Sequence, residues 1–262
     1  MLLAIDIGNT NIVIGLFEGT KLSQHWRIGT HRHATSDEYA AQIRALFDLV
    51  AVDPSLVRAT VLSCVVPPLV PILERTCTKL FQAAPLVVGP GVRTGMPVNV
   101  ENPPEVGADR IVNSVAALEL MGAPVIVVDF GTATSFDCVS AEGEFVGGAI
   151  VPGILVSLEA LVARASRLSS VEIERPPKVI GRNTTQSLQS GVLFGYAGMV
   201  DSMVERIRGE LGSETQTVAT GGLAHVIASE SRTLRRVEPF LTLEGLRLIH
   251  ERNHTGRAHP TG

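Results

Sequence analysis

The sequence predicts an α/β protein made of two similar halves. The first observation is a stretch at residues 2–17, in which an apolar run ends at Asp6, small and polar residues follow, and a second apolar run returns. This pattern is typical of two strands joined by a tight turn. The second observation is that the pattern restarts at residues 125–139, where Asp129 lies 123 positions after Asp6. Stretches of helical periodicity between the two hairpins complete the prediction.

Composition sets the broad class of the protein. The chain has 262 residues, of which 45% are hydrophobic and 18% charged, as in a globular protein with one large domain or two smaller ones. A formal net charge of −4 argues against an electrostatically bound nucleic acid. The three cysteines are scattered and fit neither a disulfide framework nor a zinc site, so a cytoplasmic location is expected. No signal peptide is predicted, because the apolar N-terminus reaches Asp6 without a basic leader or a cleavage site. No membrane span is predicted either, since the apolar stretch at 61–73 is short and contains three prolines.

The first half continues with alternating strands and helices after its hairpin. Thr35 stands three residues before Glu38, which is the spacing of a capping box and predicts the start of a helix. A basic, polar stretch at 31–36 precedes that helix. The predicted strands are 21–28, 59–66 and 85–88, and the predicted helices are 37–50, 69–81 and one that begins at 105.

The second half repeats the plan and ends in a polar tail. A long helix is predicted from Thr184, and its glycines Gly191 and Gly195 indicate close packing, either within the domain or against another subunit. The other predicted elements are strands at 144–150 and 217–220 and helices at 152–167 and 241–249. The expected organisation is one half at 1–120, a second half at 121–252 and a disordered tail at 253–262.

The two carboxylate turns are the candidate ligand site. Gly8 allows close approach to the backbone, and the polar residues after it could cradle phosphate while Asp6 holds a hydrated cation. An ordinary hairpin with Asp and Gly in its turn would look the same. In a duplicated α/β fold the turns at Asp6 and Asp129 would meet across a cleft and could hold a nucleoside triphosphate with Mg²⁺. The sequence has neither the P-loop nor the dinucleotide glycine pattern.

Five strings along the chain resemble type III pantothenate kinase. They are Asp6–Asn11, Glu105–Asn113, Val128–Ala133, Gly181–Thr184 and Ala219–Ala224. The resemblance implies a duplicated ribonuclease H-like (actin-like ATPase) fold with a ligand cleft between the halves. It also implies ATP-dependent phosphorylation of pantothenate to 4′-phosphopantothenate, the first step of coenzyme A biosynthesis. A homodimer, Mg²⁺ and a monovalent cation (K⁺ or NH₄⁺) are implied as well.

The resemblance also assigns roles to residues. Asp109 is implied as the catalytic base, Asp129 as a ligand of the monovalent cation, and Thr132 as a contact to ATP phosphate. The implied ATP-binding stretch is Asp6, Ile7, Gly8, Asn9, Thr10, Asn11, Ile12 and Val13. The implied substrate-binding residues are Gly107, Ala108, Asp109, Arg110 and Thr184, the last reaching across the dimer interface.

Each of these residues has a purely structural alternative. Asp109 could be a helix-start carboxylate favoured by the helix dipole, and Arg110 could form a surface ion pair. Asp129 could cap its turn, and the Thr132 hydroxyl could bond to its own backbone. Thr184 could be the N-cap of the long helix.

The chain departs from the family pattern at two places. Val100 stands where relatives often carry a tyrosine before the substrate loop, and no lysine follows the first turn. Two other functions remain open on the residues: a kinase for another small hydroxyl substrate, and a nucleotide-binding regulatory protein without turnover. A filament-forming role is disfavoured because the chain is short.

Overall fold

A computed structural model describes residues 1–254 of the chain. Their contacts divide them into two compact units. The first unit holds residues 1–96, 101–116 and 242–254, and the second holds 97–100 and 117–241. The last helix reaches His254, and the rest of the tail expected to be disordered, 255–262, lies outside the described residues.

A five-stranded sheet with the order β3-β2-β1-β4-β5 forms the base of the first unit. Its strands are β1 (Leu2–Ile7), β2 (Asn11–Glu18), β3 (Lys21–Gly29), β4 (Ala59–Cys64) and β5 (Leu86–Val87). The predicted hairpin is confirmed, since β1 and β2 are antiparallel, and β4 lies parallel to β1 on its other side. Because parallel strands end at the same sheet edge, Asp6 of β1 is level with Ser63 of β4.

The second unit repeats this arrangement with a four-stranded sheet in the order β8-β7-β6-β9. Its strands are β6 (Val125–Phe130), β7 (Ala133–Val139), β8 (Phe145–Pro152) and β9 (Gln216–Gly221). β6 pairs antiparallel with β7 and parallel with β9, as β1 does with β2 and β4. Asp129 is therefore level with Thr220 in the way that Asp6 is level with Ser63. The equivalent registers confirm the predicted repeat.

The helices cover the sheets and bury their apolar faces. They are α1 (Ser36–Leu49), α2 (Val70–Phe81), α3 (Ala108–Met121), α4 (Ile154–Arg164), α5 (Thr184–Leu211), α6 (Ala224–Ala228) and α7 (Leu241–His254). The predicted capping box of α1 is present, with Thr35 Oγ1 accepting from the Glu38 N–H at 3.3 Å and Glu38 Oε2 accepting from the Thr35 N–H at 2.7 Å. Tyr39 and Phe47 of this helix are fully buried in the core of the first unit. Helix α4 is shorter than the predicted 152–167, and α6 was not predicted.

The glycines of α5 lie on an exposed face. A Cβ atom added at Gly191, Gly195 or Gly198 would have no described atom within 4 Å outside its own helix neighbourhood. All three are solvent-exposed in the described part of the chain. Close packing within the domain is therefore the wrong explanation for these glycines, and the alternative of a subunit contact stays a prediction.

None of the helices within residues 1–254 combines the length and the apolar composition that a membrane crossing requires.

Candidate active site

The first carboxylate turn joins β1 to β2. The Gly8 N–H donates to the Asn11 carbonyl oxygen at 3.0 Å, which closes the turn. A Cβ atom at Gly8 would lie only 3.0 Å from that same oxygen, so this close approach favours glycine. Asn9 and Thr10 form an exposed tip, whereas Asp6 is half-buried near the end of β1. The turn thus presents polar groups to solvent directly after a partly buried carboxylate.

The loop after β3 holds this turn in place, a contact that the sequence did not predict. Thr30 Oγ1 donates to the Gly8 carbonyl oxygen at 2.7 Å, and the Thr30 N–H donates to the Thr10 carbonyl oxygen at 3.0 Å. Arg32 Nη2 donates to Asn9 Oδ1 at 2.8 Å. The only sequence signal was the basic, polar composition of this loop, which identifies a loop without identifying what it contacts.

Asp109 lies in the first turn of α3, directly after Gly107 and Ala108. Its Oδ1 accepts a hydrogen bond from the Arg110 N–H at 2.8 Å. A Cβ atom at Gly107 would lie 2.5 Å from the same carboxylate oxygen, so glycine lets the side chain fold back over the helix start. Burial raises the pKa of the Asp109 carboxyl above its ordinary value of 3.8, although the Arg110 N–H and the Arg110 charge act in the opposite direction.

Val65, just after β4, connects the first turn to the start of α3. The Val65 N–H donates to the Ile7 carbonyl oxygen at 3.0 Å, which extends the parallel pairing past the end of β1. Val65 Cγ1 is 3.6 Å from the position of a Cβ atom at Gly107. The first unit therefore brings together 6–13 and 107–110, the two stretches for which the family resemblance implies contacts to ATP and to substrate.

The second carboxylate turn joins β6 to β7. The Gly131 N–H donates to the Ala133 carbonyl oxygen at 3.0 Å, and Thr132 lies exposed at the tip. The Gly153 N–H, just after β8, donates to the Thr132 carbonyl oxygen at 3.1 Å. A Cβ atom at Gly153 would collide with the carbonyl groups of Gly131 and Thr132. The third strand of this unit thus supports its turn, as the loop after β3 does in the first unit.

The end of β9 lies against the Asp129 carboxylate. Gly221 has a φ of +95°, and a Cβ atom there would lie 2.6 Å from both Asp129 Oδ1 and the Phe130 carbonyl oxygen. A carboxylate oxygen and a carbonyl oxygen therefore share the side of Gly221 that a side chain would fill. Carboxylate and carbonyl oxygens are suitable ligands for an alkali cation, so these residues fit the monovalent cation expected at Asp129.

Thr184 is the first residue of α5 and is exposed. The N-cap of that helix is Asn183, whose Oδ1 accepts from the Gln186 N–H at 2.8 Å. The N-cap alternative for Thr184 is therefore wrong, because Asn183 caps the helix. Val100 belongs to the second unit, where its Cγ1 is 3.8 Å from the position of a Cβ atom at Gly147 in β8.

Comparison with known sequences finds one family over most of the chain. A family profile described as Type III pantothenate kinase matches residues 2–206. A Type III pantothenate kinase of Myxococcus xanthus is 56% identical over 254 residues, which cover 97% of this chain and 99% of the relative. The protein of the same name from Geobacter sulfurreducens is 52% identical over 253 residues, covering 97% of this chain and 99% of the relative.

Solved structures resemble the fold at much lower identity. A putative Baf family transcriptional activator from Campylobacter jejuni has a TM-score of 0.61 at 18% identity, covering 97% of this chain and 99% of that chain. Component A of the (R)-2-hydroxyglutaryl-CoA dehydratase of Acidaminococcus fermentans has a TM-score of 0.56 at 13% identity, covering 98% and 99%. These two likenesses concern the fold alone. Together with the two equivalent sheets, they confirm the expected α/β class with two halves of actin-like fold.

Proposed function

The chain belongs to the type III pantothenate kinase family, and on that premise we propose that it transfers the γ-phosphoryl group of ATP to pantothenate. The product is 4′-phosphopantothenate, in the first step of coenzyme A biosynthesis. The observation that carries the proposal is a family match over residues 2–206, which includes both carboxylate turns and the start of α3.

Asp109 acts as the base in this proposal. Its carboxylate accepts the proton of the pantothenate hydroxyl as that oxygen attacks phosphorus. The raised pKa of Asp109 makes the carboxylate a stronger base than an ordinary aspartate at the same pH. Gly107, Ala108 and Arg110 bind the substrate alongside it, and the Arg110 guanidinium offers paired donors to the pantothenate carboxylate.

The two turns hold the nucleotide and its cations. Residues 6–13 and Thr132 contact the phosphates, and the close approach at Gly8 supports this assignment. Asp6 holds hydrated Mg²⁺, and Asp129 with the Phe130 carbonyl holds K⁺ or NH₄⁺. When bound, these cations neutralise phosphate charge in the transition state.

The protein acts as a homodimer in this proposal, and Thr184 of each protomer contacts the substrate of the other. The exposed glycines of α5 and the apolar side chains of α4 support a shared surface. Leu155, Val156 and Leu161 of α4 are 53%, 41% and 45% exposed. Tyr196 of α5 and Ser157 of α4 share a hydrogen bond of 2.6 Å, so the two helices lie side by side. Exposed apolar patches of this kind often mark subunit contacts.

The proposed partners are therefore ATP, pantothenate, cations and a second copy of the chain. The proposal includes no nucleic acid and no membrane, and it places the protein in the cytoplasm, which the free cysteines Cys64, Cys77 and Cys138 support.

A coupled ADP assay tests the function directly. We expect ADP release only when pantothenate, Mg²⁺ and K⁺ or NH₄⁺ are all present, and Na⁺ serves as the control cation. ADP release that is indifferent to pantothenate, or a better acceptor in a panel of small alcohols, would overturn the substrate assignment. Nucleotide binding without any turnover would indicate a regulatory protein instead.

A further inference from the structure

We infer that Arg32 binds the polyphosphate of ATP, as the cation that the first turn lacks. The turn and the strand that follows it contain no lysine or arginine between Asp6 and Phe17. Backbone N–H groups can cradle phosphate, but they bring no full charge. The inference rests on the proposed function, because it assigns the ligand of the first turn as the ATP phosphates.

The position of Arg32 carries the inference. Its Nη2 donates to Asn9 Oδ1 at 2.8 Å, which places the guanidinium directly beside the exposed tip of the phosphate turn. That bond occupies one donor of the guanidinium, and no other bond of Arg32 is found within residues 1–254. A guanidinium carries five N–H donors in a planar fork, so several remain for phosphate oxygens.

The backbone around Arg32 is anchored on both sides of the turn. Thr30 bonds to the carbonyl oxygens of Gly8 and Thr10 through its hydroxyl and its N–H, at 2.7 and 3.0 Å. The Tyr39 hydroxyl, whose side chain is fully buried, accepts from the His31 N–H and donates to the His31 carbonyl, both at 3.0 Å. The backbone that carries Arg32 is therefore already ordered, so phosphate binding has a smaller conformational entropy cost.

Arg32 itself is exposed, and its bond to Asn9 is a hydrogen bond to a neutral amide rather than an ion pair. Since no carboxylate of residues 1–254 forms an ion pair with Arg32, its charge is available to a ligand. This separates Arg32 from the exposed arginine of the neighbouring helix, Arg44, which is paired with Asp48 at 3.0 Å. Arg44 is therefore the matched control.

Direct binding of nucleotides tests the inference. We expect Arg32→Met to weaken ATP and ADP binding about tenfold, as for loss of a charged hydrogen bond, and to leave adenosine binding unchanged. Arg32→Lys should recover part of the loss, because it keeps the charge without the fork. Arg44→Met should bind all three ligands as the wild type does. Isothermal titration at low salt gives each dissociation constant, and circular dichroism checks that the variants are folded.

A double variant separates direct phosphate contact from support of the turn. In the Asn9→Ala background, Arg32→Met should still weaken ATP binding by a comparable factor. No further loss in that background, an unchanged affinity of Arg32→Met for ATP, or an equal loss for adenosine would each overturn the inference. A wild-type protein that binds ATP but does not phosphorylate pantothenate would instead refute the proposed function, while the binding comparison would still decide the role of Arg32.

Discussion

Burial of the Asp109 carboxyl raises its pKa because the charged form is poorly solvated there. The unfolded chain would ionise this group at its ordinary value, so the folded protein holds the proton more tightly. Folding therefore becomes less favourable as the pH rises through the interval between 3.8 and the raised pKa of the folded protein. The same burial that makes Asp109 a stronger base thus costs stability at neutral pH.

Asp109→Asn should separate these two effects. We expect kcat to fall by about 10²–10⁴, the usual contribution of a general base, with ATP binding unchanged. Stability at neutral pH should rise, because the amide removes the buried charge. Steady-state kinetics and urea unfolding measure the two quantities on the same preparation. Unaltered turnover would exclude Asp109 as the base, and a lower urea midpoint would contradict the cost assigned to its burial.

Gly221→Ala tests the contact between β9 and Asp129. The left-handed φ of +95° and the collision with Asp129 Oδ1 both act against a side chain there. We expect a loss of about 1–3 kcal/mol of stability from the backbone alone and a weaker response to K⁺ from the displaced carboxylate. Gly91→Ala is the matched control, since its φ is +90° and nothing described lies within 4 Å of the new Cβ. Equal K⁺ dependence in both variants would mean that Gly221 does not shape the cation site.

Sequence patterns identify such residues without giving their surroundings. Asp6 and Asp129 could be paired because each follows an apolar run at the same point of a local motif. The backbone angle of Gly221 and its distance to Asp129 depend on how β9 pairs with β6, which is set by contacts between distant parts of the chain. The hydrogen bond from Thr30 to the Gly8 carbonyl likewise joins residues that are far apart in the sequence.

Asp201 of α5 holds the loop that follows α6 through hydrogen bonds. Its buried carboxylate accepts from Ser231 Oγ at 2.6 Å and from the N–H groups of Arg232 and Thr233, each at 3.0 Å. Burial raises the pKa of Asp201, but these hydrogen bonds outweigh it and lower the pKa from 3.8 to about 2. The chain beyond this loop then pairs with β9, where the Glu238 N–H donates to the Ala219 carbonyl oxygen at 2.8 Å.

Asp201→Ala should therefore destabilise the second unit by about 2–4 kcal/mol, since it leaves buried N–H donors without their acceptor. The depressed pKa adds a dependence on pH: the contribution of Asp201 is complete above 3.8 and is lost as the pH falls toward about 2. Urea unfolding at several acid pH values measures both effects. Glu205→Ala is the control, because Glu205 contacts the same Arg232 at 3.6 Å but is 59% exposed. Equal losses in the two variants would contradict the role given to burial.

Elements with strong local signals were predictable from the sequence. The capping box at Thr35 gave the start of α1, and the apolar spacing gave its buried face. Helix α6 carries no comparable signal, because it is short and has no side-chain cap. The packing of Leu243 from α7 onto Gly15 of β2 joins opposite ends of the chain, and no local pattern encodes it.

In the whole molecule, the proposed site residues are divided between the two units. The first unit contains the first turn and Asp109, whereas the second contains Asp129, Thr132 and Thr184. A complete site would also depend on a second copy of the chain if the exposed surface of α4 and α5 is a subunit contact. Thr184 is the first residue of α5, the helix at whose glycines an added Cβ atom would contact no other described element. If that surface joins two copies, then Thr184 and the Asp109 that it serves belong to different protomers.

Complementation between two inactive variants tests this arrangement. An Asp109→Asn protomer retains its Thr184, and a Thr184→Val protomer retains its Asp109. In a mixed dimer, the site with Asp109 then receives an intact Thr184 from the other protomer, while the second site lacks both. Random pairing of equal amounts makes half of the dimers mixed, each with one working site, so about a quarter of wild-type activity should return.

Co-expression with two affinity tags, followed by the coupled ADP assay, measures this recovery, and light scattering gives the mass of the assembly. If Thr184 instead serves its own protomer, mixing creates no site with both residues, and the activity stays at the mean of the two single variants.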